Sequence, residues 1–168
     1  MDYFIADTHF GGENIINFTH REFKSVKDMD ETIVFNWNKV VKDNDKVIVA
    51  GDFFDNKDEA FMKNILNRLN GTIVLIKGNH DDGIEDFCRN LGIEVIDYPI
   101  LYNEFYLVSH EPLYVSEYGL YVNIFGHVHD NPMYKNVSSR SFCISAERIA
   151  YTPISFSDIL NQIKSCQK

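Results

Sequence analysis

Five short segments of this chain carry most of the residues that could perform metal or acid–base chemistry. In chain order they read Asp7-Thr8-His9, Gly51-Asp52-Phe53-Phe54-Asp55, Gly78-Asn79-His80-Asp81, Ser109-His110-Glu111 and Gly126-His127-Val128-His129. Five of the six histidines lie in these segments, and His20 is the exception. Neutral imidazole, carboxylate and amide oxygen suit divalent metals such as Mn, Fe, Zn and Ni, and the segments contain no thiolate.

Seven of these side chains are candidate metal ligands, which is more than a single tetrahedral site would use. They are Asp7, His9, Asp52, Asn79, His110, His127 and His129. Seven ligands suit two metals that share one bridging carboxylate. A spacing of two, as in the first and last segments, places both side chains on one face of an extended segment or within reach of one centre across a tight loop. Glycine precedes three of the segments' ligands and lets the backbone turn sharply there, at Gly51, Gly78 and Gly126.

Each of the five segments follows a run rich in β-branched and aromatic residues, which predicts a strand. Strands are predicted at residues 3–6, 47–50, 72–76, 93–96, 105–108 and 121–125, with a hairpin later that pairs residues 141–145 with 148–151. In open α/β sheets, ligands bind outside the carboxyl ends of the strands. We therefore expect the five segments to converge at one rim of the fold.

Apolar residues spaced by three and four predict helices between the early strands. These helices cover residues 29–41, 61–69 and 84–91, and Gly71 and Gly92 stand where helix C-terminal caps belong. A last helix is predicted to begin at Ser155, with Asp158 three residues later in a pattern that resembles a capping box. Strand–helix alternation that gives way to strands indicates an α/β fold with a partly antiparallel sheet, strands inside and helices outside.

Length and composition favour one soluble domain over residues 1–168, with 45% hydrophobic residues and a net charge of −9. That charge disfavours a long nucleic acid or an anionic membrane surface as partner. No apolar run approaches the ~18 residues of a membrane span. Three widely spaced cysteines, Cys88, Cys143 and Cys166, form no C-x-x-C motif and indicate reduced thiols in a cytoplasmic protein. The oligomeric state stays open.

Together the five segments resemble the calcineurin-like metallophosphoesterase superfamily, whose blocks run D-x-H, G-D-x-x-D, G-N-H-[DE], a later His, and G-H-x-H. The resemblance extends from residue 2 to about residue 130, and the tail at residues 151–154 is similar to small bacterial and phage members. It implies a four-layer αββα sandwich in which two mixed β-sheets are flanked by helices. It also implies two divalent metal ions, with Mn favoured over the alternatives Fe, Zn and Ni.

The resemblance assigns a role to each candidate residue. One metal would be held by Asp7, His9 and His129, and the other by Asn79, His110 and His127. Asp52 would bridge the two. His80 would contact the phosphate and protonate the leaving oxygen, with Asp81 orienting its ring. A hydroxide shared by the metals would attack phosphorus. Asp55 would either contact the metal ligands without binding a metal itself or be an ordinary turn or cap carboxylate.

At two positions this chain differs from the pattern of many family members, and these differences limit which members it resembles. Many small relatives carry a His where this chain has Gly12, so Gly12 is either a tolerated loop residue or a change in substrate contacts or rate. Serine/threonine phosphatases and dinucleoside tetraphosphate hydrolases carry an Arg after the position of Asp55, where this chain has Asn56. We therefore expect hydrolysis of a small phosphodiester, nucleotide-like or cyclic. The alternatives are a phosphomonoesterase acting on a small metabolite and a non-catalytic interaction scaffold.

Overall fold

Two β-sheets packed face to face form the centre of the protein, and the structure, a computed structural model, describes residues 1–166. The first sheet has the strand order β4-β3-β2-β1-β9. Its strands are β1 (Asp2–Ile5), β2 (Lys46–Ala50), β3 (Thr72–Ile76), β4 (Glu94–Ile96) and β9 (Ile154–Ser155). Strands β1 to β4 are parallel, and β9 is antiparallel to β1, so the sheet is mixed.

The second sheet is also mixed and has the order β5-β6-β7-β8. Its strands are β5 (Ile100–Tyr102), β6 (Tyr106–Ser109), β7 (Val122–Phe125) and β8 (Ser141–Cys143). Strand β5 is antiparallel to β6, while β6, β7 and β8 are parallel to one another. The candidate ligands follow β1, β2 and β3 in the first sheet and β6 and β7 in the second. Within each sheet these strands are parallel, so their carboxyl ends lie at the same edge.

The helices that surround these sheets are α1 (Glu13–Phe18), α2 (Val26–Val40), α3 (Glu59–Leu66), α4 (Glu85–Asn90) and α5 (Phe156–Ser165). Of these, α2, α3 and α5 begin after residues whose side chains cap them. The side chains of Ser25, Asp58 and Ser155 each accept a hydrogen bond from the backbone N–H three residues ahead. The predicted start of the last helix at Ser155 is thereby confirmed. No helix within residues 1–166 is long and apolar enough to cross a membrane.

Strand β2 shows how the two apolar cores are divided. Val47 and Val49 belong to the core under α2 and α3, whereas Ile48 and Ala50 belong to the core between the sheets. A strand buried on both faces needs apolar residues at every position, which is why this run lacks polar alternation. The predicted α/β fold with two mixed sheets flanked by helices is confirmed.

The predicted hairpin of residues 141–145 with 148–151 is wrong. Strand β8 pairs with β7 instead, and Ala146–Ile149 form a short 3-10 helix. Ala150 and Tyr151 have φ of +51° and +54°, which no strand can adopt. The chain crosses here to the first sheet, because the N–H of Ala6 donates to Ile144 and Ala146 donates back to Ala6. Long-range contacts thus override the strand propensity of the segment.

The two predicted glycine caps have different outcomes. Gly92 follows the end of α4 with φ +82°, and its N–H donates to the carbonyl of Arg89 at 3.0 Å, as a helix cap requires. Gly71 is not a cap, because α3 ends at Leu66. It lies instead in the turn before β3 with φ +88°.

These two glycines provide a matched pair for a stability measurement. A Cβ at Gly71 would lie 2.9 Å from the carbonyl oxygen of Asp45, whereas one at Gly92 would meet nothing within 4 Å. Gly92→Ala should cost only the left-handed backbone strain, roughly 1–2 kcal/mol of unfolding free energy. Gly71→Ala should cost clearly more, since steric overlap is added to the same strain. Urea denaturation of the metal-free proteins measures both, and equal losses would contradict this account of Gly71.

Candidate metal centre

The five predicted segments meet at the carboxyl ends of β1, β2, β3, β6 and β7, where the two sheets adjoin. Backbone hydrogen bonds tie the loops together: Asp7 N–H donates to Gly51 at 3.0 Å and His9 N–H donates to Asp52 at 3.0 Å. Across the sheets, the N–H of His127 donates to the carboxylate of Asp7 at 2.8 Å. The structure therefore brings together the loops of both sheets that carry the candidate ligands.

The candidate ligands form two clusters that meet at Asp52. In each cluster the ligand atoms lie within 4.8 Å of one another: the first is Asp7, His9 and His129, and the second is Asp52, His110 and His127. The Oδ1 atom of Asn79 lies 2.9 Å from His110 Nε2 and so joins the second cluster. The Oδ2 atom of Asp52 lies 3.5 Å from His9 Nε2 on one side and 3.5 Å from His110 Nε2 on the other. One carboxylate oxygen thus stands between an imidazole of each cluster.

The chemistry of these atoms fits divalent cations. His9 Nε2 is buried and has no hydrogen-bond partner, although the other ring nitrogen lies 2.9 Å from Asp55 Oδ1. A buried nitrogen without a partner is costly, and a metal ion would supply the missing interaction. Burial raises the pKa of Asp7, even though His129 and His110 act to lower it. Positive charge between the clusters would favour the ionised form of this carboxyl.

Left-handed backbone conformations direct most of the ligands toward the centre. Five of the seven candidates have a positive φ: Asp7 (58°), His9 (50°), Asp52 (54°), His127 (70°) and His129 (49°). Such conformations are uncommon outside glycine and cost on the order of 1–3 kcal/mol each, so they persist only where the surroundings enforce them. Their concentration at these residues makes the loops a candidate functional site.

The three glycines predicted to allow tight turns also make room for ligand side chains. A Cβ at Gly51, which has φ +88°, would overlap the ring of His110. A Cβ at Gly78 would overlap Asp52 Oδ1, and one at Gly126 would lie 2.9 Å from Asp7 Oδ2. Gly51 therefore meets a conformational requirement, whereas a side chain is excluded at Gly78 by the Asp52 carboxylate and at Gly126 chiefly by the Cβ of Ala6.

His80 lies at the rim, but Asp81 does not orient its ring. The His80 side chain is 51% exposed, and its Nδ1 lies 3.2 Å from Asp55 Oδ1. The expected role of Asp81 is wrong, because its two carboxylate oxygens accept from the backbone N–H groups of Asp52, Phe53 and Gly78 at 2.8–2.9 Å. Asp81 instead fixes the loops after β2 and β3.

Asp55 connects the rim to the first cluster. Its Oδ1 lies 2.9 Å from Nδ1 of His9 and 3.2 Å from Nδ1 of His80, so it contacts one candidate ligand and the candidate acid. Burial acts to raise the pKa of Asp55, but the hydrogen bond and charge of His9, together with His80, outweigh it and lower that pKa. Asp55 also occupies the space beside Gly12, where a Cβ would overlap Asp55 Oδ2. A larger residue at position 12 would therefore have to displace this carboxylate.

Sequence reasoning missed two residues of the centre, Arg21 and Glu147. Arg21 donates to the backbone carbonyls of Asp7 at 2.6 Å and Thr8 at 3.0 Å, and it pairs with Glu147 at 2.8 Å. Burial acts to raise the pKa of Glu147, but the hydrogen bond from His129 and the charge of Arg21 lower it to about 2. No short motif contains either residue, and the two are 126 positions apart.

The sequence model of calcineurin-like phosphoesterases matches residues 3–162 of this chain. The chain belongs to the calcineurin-like phosphoesterase family. Membership indicates a metal-dependent phosphoester hydrolase, and the family typically binds two divalent metals. The described residues form three groups that could hold an ion: the two clusters above, and a third made of His9, Asp55 and His80.

Relatives extend over nearly the whole chain. An uncharacterized protein of Methanocaldococcus jannaschii, MJ1445, is 37% identical over 171 residues, covering 96% of this chain and 90% of its own length. The crystal structure of AQ665 from Aquifex aeolicus, a protein of unknown function, superposes with a TM-score of 0.73 at 29% identity, covering 96% of this chain and 98% of that one. The Pseudomonas putida nuclease MPE superposes with a TM-score of 0.50 at 26% identity, covering 76% of this chain and 61% of the nuclease.

The position of Asp52 generates a prediction about metal binding. If its carboxylate serves both clusters, Asp52→Asn should weaken both of two bound ions by at least ~10-fold, whereas His110→Ala should weaken one. Equilibrium dialysis of the metal-free protein against Mn²⁺, followed by elemental analysis, measures the stoichiometry and affinities. Asp58→Asn, which alters only the cap of α3, is the control. An Asp52→Asn protein that keeps one ion at its original affinity would contradict the bridging role.

Proposed function

We propose that this protein is a dinuclear metal-dependent phosphodiesterase that hydrolyses small, nucleotide-like or cyclic phosphodiesters. The observation that carries the proposal is Asp52 Oδ2 at 3.5 Å from an imidazole nitrogen of each cluster, with His80 at the adjacent rim. Two ions in these clusters would activate water and neutralise the charge that develops on the phosphoryl oxygens. A nitrogen and oxygen ligand set without thiolate supports Mn²⁺, with Fe, Zn and Ni as alternatives.

Two cavities that meet at the metal ligands support a diester over a monoester. One, with a volume of ≈ 530 Å³, is lined by Asp52, His80 and His129, among others. The other, of ≈ 310 Å³, is lined by His110 and Lys77, among others. Asn79 lines both cavities. A diester carries a substituent on each side of phosphorus and can use both cavities, whereas a monoester would use one.

Exposed aromatic side chains in the larger cavity support a planar substituent. Phe18 is 78% exposed and Tyr134 is 41% exposed, and both line this cavity beside the histidines. Stacking of a base on an aromatic side chain stabilises binding by ~1–3 kcal/mol, which is a reason to place a nucleobase here. The similarity to a nuclease supports phosphodiester chemistry. The net charge of −9 favours a small substrate over a long nucleic acid.

The geometry of His80 supports its role as the general acid. Because Asp55 Oδ1 lies against Nδ1, the ring nitrogen left to face the cavity is Nε2. The backbone N–H of His80 donates to Asp52 Oδ1 at 2.8 Å, which fixes the distance between the acid and the clusters. His80 would thus hold a proton at Nε2 and transfer it to the oxygen of the departing alcohol.

The choice between diester, monoester and scaffold can be decided with one pair of substrates. With Mn²⁺ bound, kcat/KM for bis-p-nitrophenyl phosphate should exceed that for p-nitrophenyl phosphate by at least ~10-fold, since the diester occupies both cavities. Asp52→Asn is the inactive control for contaminating hydrolases. A preference for the monoester would favour the phosphomonoesterase alternative. Bound metal without turnover of either ester would favour the non-catalytic scaffold.

The loss of activity on removing the His80 side chain should depend on the leaving group of the substrate. His80→Ala should reduce hydrolysis of a 2′,3′-cyclic nucleotide, whose alkoxide leaving group needs a proton, by ~10²–10⁴-fold. The same variant should lose less than ~10-fold on bis-p-nitrophenyl phosphate, because p-nitrophenolate departs without protonation. Asp55→Asn should also reduce hydrolysis of the cyclic nucleotide more than that of bis-p-nitrophenyl phosphate, but by a smaller factor than His80→Ala. Equal losses on both substrates would contradict the acid role and leave His80 as a phosphate-binding residue.

A further inference from the structure

A buried ion pair lies directly behind the first ligand cluster. The Arg21 side chain is fully buried and that of Glu147 is 7% exposed. Arg21 Nε donates to Glu147 Oε1 at 2.9 Å, and Nη2 lies 2.8 Å from the same oxygen. The ring of Tyr151 covers the guanidinium at 5.5 Å. Burial of two charges is costly even when they are paired, so a pair that only stabilised the fold could be replaced by apolar side chains.

Glu147 contacts a metal-ligand candidate through the same oxygen. Glu147 Oε1 lies 3.0 Å from Nδ1 of His129, so that Nδ1–H donates to it. The other carboxylate oxygen, Oε2, is buried without a partner. Because Nδ1 is occupied, Nε2 of His129 is the nitrogen left to face Asp7 and His9. The carboxylate therefore fixes both the tautomer and the rotation of the ring.

Arg21 holds the other side of the same cluster. It donates to the carbonyl of Asp7 at 2.6 Å and to that of Thr8 at 3.0 Å. Asp7 has φ +58°, a conformation that needs enforcement from outside. A rigid guanidinium with several donors can bind the loop carbonyls and Glu147 at once, which fixes the loop relative to the His129 ring.

Among the described residues, no side-chain carboxylate hydrogen-bonds to a histidine ring of the second cluster, although Asp81 anchors its backbone. There Nδ1 of His110 lies 2.9 Å from the backbone carbonyl of Ala50, so the main chain orients the ring. We propose that Arg21 and Glu147 are positioning residues for one metal site only, the site formed by Asp7, His9 and His129. This inference rests on the metal centre of the proposed function, but it concerns metal affinity and not hydrolysis.

A double-mutant cycle on metal binding tests this proposal. Metal-free wild type, Glu147→Ala, His129→Ala and the double variant are titrated with Mn²⁺ by calorimetry. Glu147→Ala should weaken one of the two sites by ~10–100-fold and leave the other within about threefold. If Glu147 acts through His129, adding Glu147→Ala to His129→Ala should change the affinity by less than about threefold. Glu147→Gln, which keeps an acceptor at Oε1, should recover most of the affinity.

Two controls separate positioning from general stability. Asp30→Asn alters a buried carboxylate that accepts from the N–H of Gly11 without contacting a ligand side chain, and it should leave both sites within about threefold. Urea denaturation of each metal-free variant verifies folding, and Glu147→Gln carries the test if the Ala variant does not fold. Equal weakening of both sites, or an undiminished effect of Glu147→Ala without His129, would overturn the proposal. A wild-type protein that binds no metal would overturn the proposed function as well.

Discussion

The position of one carboxylate, Asp52, is the constraint on which the rest of the structure depends. Its Oδ2 lies between His9, from a loop of the first sheet, and His110, from a loop of the second. The buried carboxylate of Asp81 holds the backbone of Asp52 in place. The carboxylate of Asp81 accepts from the N–H groups of Asp52, Phe53 and Gly78, so the loops after β2 and β3 share one buried anchor. Strand β2 lies at the centre of the first sheet, with parallel neighbours on both sides. The hydrogen bonds of Asp81 therefore fix the Asp52 backbone relative to the best-supported strand of that sheet.

The cost of this arrangement is strain and buried charge concentrated in a few loops. Five candidate ligands have left-handed backbones, and buried Asp7, Asp52 and Asp81 all lie within or behind the clusters. Strain of this kind persists only when many contacts determine it, and the hydrogen bonds between the loops after β1 and β2 supply such contacts. Divalent cations would offset the remaining electrostatic cost. Metal binding and folding should therefore be coupled in this protein, because an ion that binds only the folded state stabilises it.

The sequence was sufficient to predict the β-α arrangement and the convergence of the five segments, for identifiable reasons. Strands buried on both faces are continuous apolar runs, and polar loops after parallel strands must meet at one edge. Contacts between residues distant in the chain could not be predicted. The partner of His80 is Asp55 rather than its neighbour Asp81, since adjacent side chains on a turning loop face different directions. Residues 146–149 form a 3-10 helix in which Glu147 contacts Arg21, and no local pattern encodes that pairing.

The two clusters differ in what orients their histidine rings. The His110 ring is oriented by a backbone carbonyl, which any residue at position 50 would provide, whereas the His129 ring depends on a side chain that itself needs a buried cation. We therefore expect the first cluster to lose metal affinity when either side chain of the ion pair is truncated, because the remaining charge is then left buried without a partner. The first cluster is thus the more vulnerable half of the centre. It also contains His9, whose ring contacts the same carboxylate, Asp55, as His80, so a disturbance there reaches the rim through a single residue.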